Sequence, residues 1–145
     1  MSIGKIESAQ ITGGSKLAIT FDDGVQAAVD LGPIIKRHAA IAPLADPAEF
    51  DRVRVSEDGW SVEWPEIGID FGAQQLRRWA DEQSGRTMSM ESFRQWMQRN
   101  TLTLDAAADA LGLSRRTIAY YLSGEQPIPR TVMLATEGLE ARQFA

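Results

Sequence analysis

Arg115, Arg116, Thr117 and Tyr120 lie close together in the chain, and each is a residue type suited to reading the edges of DNA bases. The planar guanidinium of an arginine can bond two acceptors of guanine at once, and a hydroxyl can donate or accept. Such groups work together only when one rigid element presents them on one side. The surrounding sequence predicts that element. Thr103 is placed to N-cap a first helix whose Ala107, Ala108 and Leu111 fall on one face, and Gly112, just past the last periodic residue, can take the left-handed conformation of a tight turn. Ser114 then N-caps a second helix over 115–122. Ile118 and Tyr121, three apart, face the first helix, which leaves Arg115, Arg116, Thr117 and Tyr120 for the opposite side as candidate readers of DNA. Farther on, Arg130 begins a final helix over 130–142, with Val132, Leu134, Ala135 and Leu139 expected to pack. An arginine beside a helix N-terminus can grip a phosphate, because its charge and the unpaired backbone N–H groups point the same way.

The spacing of Thr103, Ala108, Gly112, Ser114, Ile118 and Gly124 resembles the phage-repressor-like helix-turn-helix family of bacterial transcription regulators. The resemblance implies a small helical domain whose second helix enters the major groove of double-stranded DNA with its first residues against base edges. Carried over by position, it implies that Arg115, Arg116 and Tyr120 face bases and that Ser114 and Thr103 sit near phosphates. One such helix reads only a few base pairs, so a homodimer on two half-sites is expected. Leu104 stands where that family commonly has a glutamine, Leu122 where it commonly has a glutamate, and Asp105 adds negative charge to the first turn. Those three residues favour an alternative, a protein-interaction or antitoxin-like adaptor whose helical domain binds another protein.

Other chemistry finds little support. Cysteine is absent, which excludes disulfides, thiolate catalysis and cysteine-ligated zinc. His38, the single histidine, has no evident orienting carboxylate or metal-binding companions. Asp22 and Asp23 sit side by side in a tight turn and point apart, with no calcium-type loop following. There is no glycine-rich phosphate loop, so the expectation is a binding protein with no enzymatic activity, cofactor or metal.

Composition agrees with a folded domain or two: 145 residues, 43% hydrophobic and 24% charged. No apolar run approaches the ~20 residues a membrane span needs and no signal peptide is evident, so a cytoplasmic location is expected. The net charge of −5 is unevenly placed, with 8 Lys and Arg against 14 Asp and Glu in residues 1–85, and 7 against 6 in residues 86–145. The second part is near neutral and can bind DNA only if its basic groups converge on one face.

The division is expected at 84–87, giving an α+β domain over 1–85 and an all-α, repressor-like helix-turn-helix domain over 86–145. In the first, Ile6 to Ile11 and Leu17 to Phe21 read as strands joined at Gly13-Gly14, and Asp22-Asp23-Gly24 turns into a third strand. Pro33 to Pro43 reads as a change of direction. Asp46 and Pro47 start a short helix with Glu49 completing a capping box. A hairpin over 53–64 should place Val53, Val55, Trp60, Val62 and Trp64 on one face, and a helix over 72–83 should turn Gln75, Leu76, Trp79 and Ala80 inward. Past the division, a helix over 90–100 carries Phe93, Trp96 and Met97 as an apolar stripe.

Phe21-Asp22-Asp23-Gly24, Val29-Asp30-Leu31, Pro43-Leu44, Phe50, Val53, and Trp64-Pro65 followed by Asp70 resemble an uncharacterised bacterial family, the domain of unknown function numbered 2442. The resemblance implies a small antiparallel-sheet-plus-helix domain over about the first eighty residues and no activity. This acidic domain is expected to handle a protein partner or a signal.

Overall fold

The structure, a computed structural model, describes residues 4–143. The chain divides into two compact units, Met1–Gln83 and Ser84–Ala145.

The first unit begins as an antiparallel meander of β1 (Ile6–Gly13), β2 (Lys16–Phe21) and β3 (Gln26–Asp30). Leu17, Ile19 and Phe21 alternate along β2, so all three point to one face and are fully buried with Val29 of β3. The turn from β2 to β3 is the Asp-Asp-Gly hairpin: Gly24 adopts φ 83°, and the Phe21 N–H donates to the Val25 carbonyl at 2.9 Å. Neither aspartate is spare. Asp22 accepts from the Gly4 N–H at 2.8 Å, while Asp23 accepts from the Val25 N–H at 3.1 Å and pairs with Arg77 at 2.7 Å.

A second antiparallel sheet joins β4 (Arg54–Val55), β5 (Ser61–Trp64) and β6 (Ile69–Gly72). Its register sets Arg54 opposite Glu63 and Val55 opposite Val62. Val62 and Trp64 are buried as expected, but Trp60 is not part of the face. It lies before the strand, exposed, with the Lys5 ammonium 5.4 Å from its ring centroid. The cause is the connection, in which Ser56 and Asp58 bond within the turn and hold Trp60 ahead of the first paired residue.

Between the sheets run α1 (Gly32–Arg37), a 3₁₀ stretch (Ala39–Ala45) and α2 (Pro47–Phe50). The change of direction expected around the prolines is thus helical, and it buries Ile34, Ile35, Leu44 and Phe50. Asp46 caps α2 through the Ala48 N–H at 3.0 Å. The reciprocal bond of a capping box does not form, because the Asp46 N–H donates to the Pro43 carbonyl instead. The unit closes with α3 (Ala73–Ser84), which buries Ala73, Leu76 and Ala80 and leaves Gln75 and Trp79 partly covered. Of these buried side chains, Leu76 contributes most, since fully burying a leucine side chain stabilises by roughly 1.5–3 kcal/mol.

In the second unit, β7 (Thr87–Met88) leads into α4 (Met90–Arg99), α5 (Leu104–Leu111), α6 (Arg115–Ser123), β8 (Ile128–Pro129) and α7 (Arg130–Gln143). It is not all-α. β7 and β8 pair antiparallel, Thr87 opposite Pro129 and Met88 opposite Ile128, a ribbon too short for periodicity to reveal. Phe93, Trp96 and Met97 of α4 meet Ala107 and Ala108 of α5 and Ile118 and Tyr121 of α6 in one core. On α7 the expected packing face is corrected. Leu134 and Ala135 are exposed, and Val132, Thr136 and Leu139 turn inward, Thr136 with its hydroxyl donating to the Met133 carbonyl at 2.7 Å. A hydroxyl satisfied by its own helix can be buried in an apolar setting, which hides such a residue from a hydrophobic pattern.

Candidate nucleic-acid interface

The local sequence fixes α5, the turn and α6 in succession. Thr103 Oγ1 accepts from the Ala106 N–H at 3.1 Å, satisfying one of the orphan donors of α5. Gly112 ends the helix at φ 69°, and the Leu113 N–H returns to the Ala108 carbonyl at 3.0 Å, the hydrogen bond of a left-handed cap. Ser114 Oγ then accepts from the Thr117 N–H at 3.1 Å and starts α6. At its far end Gly124 takes φ 82°, and Arg94 of α4 donates to the Leu122 carbonyl at 3.4 Å. Ile118 at 0% exposure and Tyr121 at 5% lock the inner face, with Tyr121 edge-on to Phe93 at 5.6 Å between centroids. Burial raises the Tyr121 hydroxyl above its usual pKa, so it stays neutral.

This packing leaves Ser114, Arg115 and Arg116 exposed and Thr117 and Tyr120 half-buried along the outer side of α6. The α6 residues are joined to one another. Arg116 Nε donates to the Tyr120 hydroxyl at 2.9 Å, and its guanidinium carbon lies 5.7 Å from the Tyr120 ring centroid. Ser114 Oγ and Thr117 Oγ1 are 2.9 Å apart. Arg115 Nε stands 3.7 Å from Asp105 Oδ1, an exposed ion pair. Asp105, whose charge opposes phosphate and favours the protein-binding alternative, is therefore also the neighbour of a candidate base reader. No local pattern could reveal that contact, since it crosses from α5 to α6. The Arg116–Tyr120 bond follows from i, i+4 spacing on one helix and was legible.

Thr103 and Ser114 present their hydroxyls at helix N-termini, each accepting one backbone N–H, and the Ser114 hydroxyl also shares a hydrogen bond with Thr117 Oγ1 in which either atom can donate. Arg130 is exposed at the first position of α7, on a separate element from the other candidates. His38 lies exposed between α1 and the 3₁₀ stretch. Beside α5, a groove of about 420 Å³ is lined by Met97, Leu102 and Leu122 together with Arg94, Gln98, Thr101 and Thr103. No helix among the described residues is long and apolar enough to cross a membrane.

Residues 6–82 match the family described as protein of unknown function (DUF2442), so the match spans the first unit and stops before α4. No curated protein matches the chain. A crystal structure from Nitrosomonas europaea ATCC 19718, bearing the name "putative DNA binding protein", is similar over 97% of this chain and 88% of that one, with 39% sequence identity and a TM-score of 0.54.

Proposed function

We propose, for a chain that belongs to the DUF2442 family of proteins of unknown function, that it binds double-stranded DNA sequence-specifically and regulates transcription, as a cytoplasmic protein without enzymatic activity. The observation that carries this reading is the α5–Gly112–α6 arrangement, two capped helices joined through a left-handed glycine, which we read as a helix-turn-helix of the repressor type. Its buried Ile118 and Tyr121 leave Arg115 and Arg116 exposed on the first turn of α6. That turn is the part of a recognition helix that meets base edges. The 39% identity to a structure named "putative DNA binding protein" adds independent support.

In this reading Arg115, Arg116, Thr117 and Tyr120 face the major groove. Ser114, Thr103 and Arg130 contact phosphates, which position the protein without reading sequence. The binding form is a homodimer, and the acidic first unit is the surface for a protein partner.

A second reading has one observation in its favour. The groove beside α5 is lined by Met97, Leu102 and Leu122, side chains that an apolar segment of another protein would cover, as an adaptor or antitoxin requires. The deciding experiment is selection by the full chain from duplexes with a randomised central segment, repeated at rising salt. Enrichment of one sequence with affinity that falls as salt rises supports DNA recognition. Retention of no duplex at low salt contradicts it and favours the adaptor.

A further inference from the structure

Each arginine of α6 turns its inner nitrogen to a partner, Arg116 through a hydrogen bond and Arg115 through a looser charge contact. Arg116 gives its Nε–H to the Tyr120 hydroxyl at 2.9 Å, and Arg115 Nε faces Asp105 Oδ1 at 3.7 Å. A guanidinium has five donors, one on Nε and four on the two terminal nitrogens, all in one plane. For Arg116 the Nε bond fixes that plane and leaves the terminal nitrogens to project from it, whereas the Asp105 carboxylate only biases where the Arg115 guanidinium lies. A pair of such donors is what guanine O6 and N7 accept. Rotamer freedom that is restricted before binding need not be lost on binding.

We propose that Tyr120 and Asp105 are positioning residues that aim Arg116 and Arg115, and that the recognised DNA half-site carries a guanine under each arginine. This rests on the DNA-binding reading above and names what that site takes. Tyr120 thereby acts on the DNA through Arg116, with its hydroxyl at Nε and its ring centroid 5.7 Å from the guanidinium carbon. Asp105 has two effects of opposite sign. Its charge repels the phosphate backbone and lowers affinity for any sequence, while its contact with Nε directs Arg115 toward a base. In water the Arg115–Asp105 pair is weak, since the side chains are 66% and 74% exposed. It strengthens when the groove excludes solvent from it.

The test uses the full chain and the duplex it selects, with 7-deazaguanine, which lacks the N7 acceptor, placed at each guanine in turn. Tyr120→Phe removes only the hydroxyl and is expected to lower the preference for guanine about two- to tenfold, the worth of one hydrogen bond, at the base pair where Arg116→Ala acts. Once Arg116→Ala is present, Tyr120→Phe should cost nothing further at that pair. Asp105→Asn is expected to lower guanine preference at a different pair, the one sensitive to Arg115→Ala, while raising affinity for a scrambled duplex. A misfolded variant cannot produce that combination. The proposal is overturned if the selected site lacks guanine, if Tyr120→Phe and Arg116→Ala act at different base pairs, or if their effects simply add. If the selection enriches no sequence, the DNA-binding reading fails and this proposal with it.

Discussion

Arg99 and Glu140 form a two-pronged ion pair that ties the last residue of α4 to α7, with Nη2 to Oε1 at 2.7 Å and Nε to Oε2 at 3.1 Å. The Arg99 hydrogen bond holds the Glu140 carboxyl below its usual 4.5. A carboxyl whose pKa is depressed by folding contributes stability above its unfolded pKa and loses it as pH falls through the folded one. Glu140→Gln is therefore expected to lower the Tm slightly near neutral pH, because the pair is solvent-exposed. The difference from the parent should shrink as the pH drops below 4.5. A gap that persists unchanged in acid would contradict the role given to this pair.

Trp64 anchors the first unit. It is fully buried, donates from Nε1 to the Phe50 carbonyl at 3.0 Å, and lies between Phe50 and Phe71 with centroids at 5.6 and 5.7 Å. Trp64→Ala is expected to cost roughly 3–5 kcal/mol by denaturant titration, the range for truncating a buried aromatic. A loss below about 1 kcal/mol, typical of a surface substitution, would contradict the packing.

Two left-handed residues flank α5 and should respond with opposite signs. Gly112 has φ 69° and open space where a Cβ would sit, so Gly112→Ala costs only the backbone conformation, about 1 kcal/mol. Thr101 holds φ 53° with a β-branched side chain, so Thr101→Asn, a residue more tolerant of that region, should raise the Tm. Equal signs for the two would refute the backbone argument.

What the sequence revealed and what it concealed divide along the range of the interaction. Thr103, Gly112, Ser114 and Gly124 were legible because a cap or turn is decided within a few residues. The three strands of the first sheet followed from alternation and Gly-containing turns. Trp60 lies off the face that alternation predicts because the turn fixes where pairing starts, and composition does not state it. The apolar pattern predicts Leu134 and Ala135 inward where Thr136 lies, because a hydroxyl bonded within its own helix does not register as apolar. The β7–β8 ribbon and the Asp105–Arg115 contact join residues distant in sequence, and no local pattern carries either.

The sheet edges bear on assembly. The side-chain amide of Gln83 closes the β3 edge at Asp30, accepting from its N–H and donating to its carbonyl, both at 2.8 Å. β1 is the other edge of that sheet, and edge strands are templates for pairing with a second copy. The full chain is expected to scatter light as a dimer, and the double substitution Gln10→Lys, Thr12→Lys, at two exposed β1 positions, should give a monomer. A monomeric parent, or a dimer indifferent to the lysines, would rule out this edge.

The central claim is that α6 reads sequence while Arg130 holds only backbone, and one measurement addresses it most directly. Fluorescence anisotropy gives the affinity of the full chain, Arg116→Ala and Arg130→Ala for the selected duplex and a scrambled one over a range of salt. Arg116→Ala is expected to lose about 1–3 kcal/mol of discrimination between the two duplexes. Arg130→Ala should weaken both alike and reduce the salt slope by about one. If both variants bind both duplexes as the parent does, α6 is not a DNA-reading helix.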